Sequence, residues 1–298
     1  MRIAITGSSG LIGSALVRSL EADGHTAVRV VRSGGGPGTV RWDIDAGDID
    51  TAGLEGLDGV VHLAGEGIGE KRWTDDQKRT ILESRTKGTA LLASALAGLA
   101  SPPPVLASGS AIGIYGDRGD EQLTEASAPG TGSFLTEVAS AWEASAAPAE
   151  SAGIRVARLR TGIVLDRTGG ALGRIIKIAR LGVLGRLGSG QQWMSWISLA
   201  DEVRAIRFLL EHEIAGPVNL TAPTPVTNAV FTKAVGAAVH RPTILPVPSF
   251  GPRLLLGAEL AQALLFDGQR VLPDVLLDAG FEFEHPTIEA ALEAILAR

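Results

Sequence analysis

Ile3-Ala4-Ile5-Thr6-Gly7-Ser8-Ser9-Gly10-Leu11-Ile12-Gly13 is the stretch on which the reading of the whole chain depends. Four residues with strand character, Ile3–Thr6, enter a glycine-spaced loop. The loop then opens an apolar pattern with Leu11, Ile12, Ala15, Leu16 and Leu20 at helical spacing. Asp23-Gly24 closes that helix after Ala22. Gly-x-x-Gly-x-x-Gly is a weak signal alone, but between a strand and a helix it acquires a physical meaning. Gly7 permits a tight turn, Gly10 lets the backbone approach a pyrophosphate, and Gly13 lets the helix pack closely on the strand. The first helical turn adds free N–H groups and partial positive charge. Thr6, Gly7, Ser9, Gly10, Leu11, Ile12 and Gly13 are therefore the candidate dinucleotide contacts.

Outward from this unit, strand and helix patterns alternate. Ala27–Val31 reads as a second strand, Val60–Leu63 and Val105–Ala107 as later buried strands, and Thr80–Leu99 as a long helix stopped by Pro102-Pro103-Pro104. Arg155–Leu165 is a further strand with its exit. The alternation predicts an α/β fold, a doubly wound parallel sheet of the Rossmann type. An acidic residue at the end of the second strand would bind the ribose hydroxyls of NAD and repel a 2′-phosphate. The sequence there is Val30-Val31-Arg32-Ser33, so Arg32, helped by Ser33 and Arg29, points to NADP(H) as the cofactor. Past Leu165 comes a Gly- and Trp-bearing excursion, Gly182–Trp196, then a helix at Asp201–Glu211 and a strand at Pro217–Leu220. An amphipathic helix is expected over Gly251–Phe266 and a last one over Thr287–Ala297. The expected division is a dinucleotide-binding domain over residues 1–164, rejoined by 198–222, and a smaller C-terminal cap region over 165–298.

Composition narrows the function classes. The 298 residues are 45% hydrophobic and 20% charged, inside the range of globular chains and far from the disordered class. Lys plus Arg number 27 and Asp plus Glu 33, a net charge of −6, which gives no reason to expect nucleic acid. With no cysteine, thiolate metal sites, disulfides and cysteine nucleophiles are excluded. The five histidines show no His-x-x-x-His spacing. Asp43–Asp50 lacks the spacing of a calcium loop and reads as a solvated loop, so no metal is expected. The glycine loop arrives before a signal-peptide apolar segment could form, and no apolar run reaches the ~20 residues of a spanning helix. A cytoplasmic protein without a membrane partner is the expectation.

The sequence resembles the extended and atypical short-chain dehydrogenase/reductases. Besides the glycine spacing, His62-Leu63-Ala64-Gly65 and Ser108-Gly109-Ser110-Ala111-Ile112-Gly113-Ile114-Tyr115-Gly116 carry that likeness. More narrowly, it is similar to the epimerase-type NAD(P)-binding family with its own C-terminal domain of unknown function. That likeness rests on Lys71–Thr74, Ser84–Thr89, Trp142-Glu143, Trp196–Asp201, Leu254–Gly257, Gly268–Pro273 and Ala279–Phe283. The resemblance implies that Leu63, Ala64, Gly65 and Glu66 border the cofactor, although a surface role explains Glu66 as well. It implies that Ser110 orients the substrate oxygen. The superfamily's Tyr-x-x-x-Lys pair is missing: Tyr115 is the only tyrosine, with Gly119 four residues on. The expected positions of the pair fall at about Leu135 and Ala139. A phenol of pKa about 10 needs about 4 kcal/mol to ionise at pH 7 without a nearby cation. Tyr115 is thus read as a proton donor or as packing beside the cofactor.

Three activities follow as expectations. One is hydride transfer between NADP(H) and a small carbonyl or alcohol, with Ser110 and Tyr115 as the candidate catalytic residues, Ser110 orienting the oxygen and Tyr115 or water supplying the proton. Another is NADPH binding with weak or no turnover, and the third is nucleotide-sugar epimerisation. The partner implied is a small-molecule substrate, with a homodimer left open. Lys71-Arg72-Trp73 would suit an anionic substrate at the mouth or be a solvated charge run, and Gln191, Gln192, Trp193 and Trp196 would line a polar–aromatic pocket or fill an interface.

Overall fold

In the computed structural model, which describes residues 1–36, 38–243 and 246–297, the two glycine-flanked elements form as expected. Strand β1 (Arg2–Thr6) leads into helix α1 (Leu11–Ala22), then β2 (Thr26–Val31), β3 (Thr39–Asp43), β4 (Asp48–Ile49) and β5 (Gly59–His62). Helix α2 (Asp75–Ala97) is followed by β6 (Val105–Ala111), β7 (Gln122–Leu123), α3 (Phe134–Ala144) and α4 (Ala147–Ser151). Next come β8 (Arg155–Thr161), β9 (Ile163–Leu165), α5 (Gly170–Arg180), β10 (Trp193–Met194), β11 (Trp196–Ser198), α6 (Leu199–Glu211) and β12 (Gly216–Leu220). The chain ends with β13 (Val226–Thr227), α7 (Asn228–Ala238), α8 (Phe250–Leu256), α9 (Ala258–Ala261), β14 (Arg270–Val271), α10 (Asp274–Asp278) and α11 (Ile288–Leu296).

The main sheet has the order β12-β8-β6-β5-β1-β2-β3-β4. Every pairing in it is parallel except the edge pair β3–β4. The chain winds outward from β1 through β2 and β3, then returns to lay β5 on the other side of β1, with Thr6 opposite His62. This reversal opens a crevice beyond the carboxyl ends of β1 and β5, where ligands of doubly wound sheets sit. Alternation along each strand supplies both faces. Ile3, Ile5, Val61, Ala107 and Leu159 face α1 and α6, whereas Ala4, Val60, Leu106 and Val156 face α2 and α4.

A second core joins α5, α7 and α11 through Leu172, Ile176, Phe231, Val235, Ile288 and Leu292. Leu276 and Phe281, late in the chain, pack instead into the core between α1, α6 and the sheet. Strand β14 also pairs with β7. The C-terminal residues are thereby stitched to the earlier part of the chain at two places, the core beneath the main sheet and a separate two-stranded sheet with β7.

Several expectations need correction. The long helix starts at Asp75, five residues before Thr80, because Thr74 caps it by accepting from the Gln77 N–H, with Asp75 and Asp76 in the first turn. Asp43–Asp50 is a β3–β4 hairpin rather than a plain loop, and the Asp43 carboxylate accepts from the Asp45 and Ala46 amides within its turn. The single helix expected over Gly251–Phe266 is broken. Gly257 takes φ +94°, separating α8 from α9, and Gln262–Phe266 forms a wider π turn.

Candidate active site

The cofactor end is built around backbone. Gly7 has φ +65°, and a Cβ on it would lie 2.8 Å from the Leu63 carbonyl carbon and 3.0 Å from the Ala64 nitrogen. A Cβ on Gly13 would lie 2.2 Å from the Gly7 oxygen. Both positions are closed to any side chain, which brings β1, α1 and the exit of β5 together at one point. Gly10 caps α1 without a side-chain bond, so the first-turn N–H groups of Leu11, Ile12 and Gly13 face the crevice.

Thr6 fixes the opposite wall. Its buried Oγ accepts from the Leu63 and Ala64 amides at 3.0 and 3.1 Å, and it lies 2.7 Å from His62 Nδ1. With both lone pairs taken, the Thr6 hydroxyl donates to Nδ1, which makes Nε2 the protonated nitrogen of His62. Nε2 in turn donates to Thr89 Oγ at 2.9 Å, which also accepts from Trp142 Nε1 at 3.0 Å. Complete burial pushes the His62 pKa down to about 4, so the ring is neutral at pH 7 and serves as a spacer. Sequence reasoning missed this line of polar groups, whose members lie far apart in the chain.

Arg32 and Ser33 are exposed past the end of β2, and Arg32 has no hydrogen bond or ion pair among the described residues. Arg29 does not join them, because it pairs with Glu21 of α1 at 3.6 Å. Gly65 follows Ala64 and packs on the Arg85 side chain. Glu66 is bound to Lys71 at 3.3 Å and to Gln77 at 3.4 Å. The Gln77 amide and the Lys71 ammonium, with Arg32 a weaker contributor, hold its carboxyl below the usual range. Arg72 is exposed but not free. It donates to the Leu254 and Leu255 carbonyls at 2.6 to 3.0 Å, capping the end of α8.

The substrate end holds a buried polar network. Ser110 Oγ, near the end of β6, donates to Glu143 Oε1 at 2.7 Å. Arg160 of β8 grips the same carboxylate with two N–H groups at 2.8 and 3.0 Å, and donates to the Tyr115 hydroxyl at 2.9 Å. Tyr115 donates to Asn219 Oδ1 at 2.7 Å, while the Asn219 amide N–H reaches Glu125 at 2.8 Å. Burial raises the Tyr115 phenol above its ordinary value, although Arg160 opposes the shift. Burial likewise raises Glu125. Tyr115 is fully buried with its hydroxyl spent on two partners, so the phenol faces the network and not the crevice. Ala139 packs against it in a small apolar cluster, and Leu135 touches the Gly113 turn. No proton-transfer group stands at either position.

Behind β8, Thr161 donates to Glu202 at 2.9 Å. Glu202 is fully buried, its other oxygen lacks a partner among the described residues, and desolvation pushes its pKa up to about 8. Trp196 is a core residue of the C-terminal cluster and not a pocket wall. Gln192 donates to the Leu187 and Leu265 carbonyls, and Trp193 to Asp120. Asp201, Glu284 and His285 are close enough to suggest a cation. The Asp201 carboxylate is, however, filled by Ser198, Arg204 and the amides of Glu284 and His285, and it docks the C-terminal segment on α6.

The model of the NAD dependent epimerase/dehydratase family matches residues 3–221. The chain belongs to that family. Residues 247–295 match a further domain of unknown function. An epimerase family protein of Mycobacterium bovis is 45% identical over 294 residues, covering 97% of this chain and 96% of that one. The crystal structure of human epimerase family protein SDR39U1 (isoform 2) with NADPH superposes with a TM-score of 0.92 at 34% identity, covering 100% of this chain and 99% of that one. A nucleoside-diphosphate sugar epimerase from Corynebacterium glutamicum has a TM-score of 0.81 at 36% identity, covering 99% of this chain and 58% of that one. The family and the Rossmann architecture with a smaller C-terminal region agree with the sequence expectation.

Proposed function

We propose that this protein is an NADP(H)-dependent oxidoreductase acting on a small alcohol or carbonyl compound. The observation that carries it is the cradle at the β1–β5 switch point, where the turn closed by Gly7, Gly10 and Gly13 leaves the first-turn amides of α1 open opposite the Leu63-Ala64 wall held by Thr6. The α1 amides of Leu11, Ile12 and Gly13, with Ser9, would hold the pyrophosphate, and Leu63, Ala64, Gly65 and Glu66 would border the adenosine half. Arg32 and Ser33 suit a 2′-phosphate, and the human relative solved with NADPH supports the same preference. The nicotinamide supplies hydride transfer at C4.

Ser110 handles the substrate oxygen. Its proton is given to Glu143, so its lone pairs are what the crevice meets, and a hydroxyl substrate is the better partner. Carbonyl binding needs the Ser110 hydroxyl to turn away from Glu143. Tyr115 positions Arg160 and Asn219, so water is left to take the substrate's hydroxyl proton on oxidation, or to give a proton to the carbonyl oxygen on reduction. Apolar Leu135 and Ala139 favour a second reading, an NADPH-binding protein without turnover. They disfavour nucleotide-sugar epimerisation, which needs a base beside the sugar.

Calorimetry with NADPH and NADH, followed by NADP+ reduction across an alcohol panel and NADPH consumption across a carbonyl panel in wild type and Ser110→Ala, tests both readings. Tight NADPH binding with turnover lost in the variant supports the oxidoreductase. Binding with no turnover on any compound supports the second reading, and absence of binding rejects both.

A further inference from the structure

Charge is unevenly spread along the chain. Residues 167–200 and 214–258 contain no Asp or Glu, in a protein whose net charge is −6. Within these segments, α5 with the turn after it and α8 with the chain before it run side by side. Arg241 Nε donates to the Arg180 carbonyl at 3.3 Å, and Leu187 bridges Val247. On these stretches Arg174, Lys177, Arg180, Arg186, Arg241 and Arg253 are all exposed; Arg174, Arg186 and Arg241 also donate to backbone carbonyls and Arg253 to Gln262, neutral acceptors that leave their charge unpaired among the described residues. Glu259, the first acid beyond α8, is already paired with Lys78 of α2.

The same surface is apolar in a way that water does not favour. Leu181 and Leu254 are each 78% exposed, and Phe250 and Leu255 each 73%, with Ile178 and Val183 beside Leu181. Helix α8 buries none of its residues. On α5, Arg174, Ile178 and Leu181 form one outward stripe, while Leu172, Ile176 and Ala179 pack inward. Scattered exposed leucines need no explanation, but several on two adjoining stretches that carry cations and no acid of their own do.

We propose that this edge of the C-terminal region docks on the headgroup layer of an anionic lipid bilayer. Phe250, Leu181, Leu254 and Leu255 enter the acyl boundary, and the arginines and Lys177 meet lipid phosphates. Side chains about three-quarters exposed protrude rather than line a groove, which suits a deformable lipid surface better than a folded protein. A second copy of the chain would bring cations against cations. Among the described residues no helix is long and apolar enough to cross a membrane, so the contact is with one leaflet. This departs from the sequence expectation of no membrane partner, because α5 and α8 are separated by some seventy positions and only the fold brings their stretches together.

Vesicle flotation tests this with the whole protein, using phosphatidylcholine alone and phosphatidylcholine mixed with phosphatidylglycerol, at low and high salt. Binding is expected only to the anionic vesicles, weakening with salt. Lys177→Gln with Arg180→Gln should lower it about fivefold per charge. Leu254→Ser with Leu255→Ser should lower it on the order of tenfold. Thermal melting and NADPH affinity of both variants should match wild type, since these side chains touch neither the cores nor the cradle. Absence of binding to anionic vesicles, equal binding to neutral ones, or full binding by the properly folded variants overturns the proposal. Self-association without vesicle binding would assign the face to a second copy and overturn it equally.

Discussion

Glu202→Gln should change how the stability of this protein depends on pH. Glu202 is completely buried at the start of α6, accepts one hydrogen bond from Thr161, and has a pKa pushed up to about 8 by desolvation. In the unfolded chain the carboxyl titrates near 4.3. Between these values the folded state binds a proton that the unfolded state has released, so stability falls as pH rises through that window. The limiting slope is about 1.4 kcal/mol per pH unit, and between pH 5 and pH 7.5 the loss from this one group is about 3 kcal/mol. Glutamine keeps an acceptor for Thr161 and cannot ionise. It adds an amide donor that lacks a partner, a roughly pH-independent cost of about 1–3 kcal/mol. Urea unfolding of wild type and variant across that range gives the comparison, because groups titrating elsewhere cancel in the difference. The variant should lose stability near pH 5 and approach or exceed wild type near pH 7.5. Parallel profiles would show that Glu202 is solvated or ionised in the native state, and the argument from burial would fail.

Gly13→Ala places a Cβ where the Gly7 oxygen now lies, so the turn must open; about 1–3 kcal/mol of stability and most NADPH affinity should be lost. Calorimetry showing wild-type affinity in that variant would count against the cradle. Arg32→Asp removes a charge-assisted contact worth about 1.5–3 kcal/mol, so NADPH affinity should fall at least tenfold with NADH little changed; an unaltered preference rejects Arg32 as the phosphate ligand. Tyr115→Phe strips a donor from Asn219 and an acceptor from Arg160 inside the protein. It should cost about 2–4 kcal/mol in denaturant melts while leaving NADPH affinity intact. Unchanged stability with abolished turnover would make the phenol a catalytic group instead.

The sequence by itself determined the cofactor half of the molecule. Gly7, Gly10 and Gly13 lie within seven residues of one another, and a turn's steric demand is local, so spacing alone announced the strand, the loop and the helix. The break of the expected helix at Gly257 was visible only as a glycine, and its positive φ comes from how α8 and α9 dock on Arg72 and Lys78. Only the tertiary structure decided the buried polar network proposed to face the substrate. Ser110 and Tyr115 share one stretch, but Glu143, Arg160 and Asn219 come from separate parts of the chain, and no spacing rule relates them to it. Whether Tyr115 faces a ligand or Arg160 depends on burial, a property of the packed molecule. The cationic, leucine-bearing edge has the same origin: composition counts charges, while the fold chooses which of them share a surface.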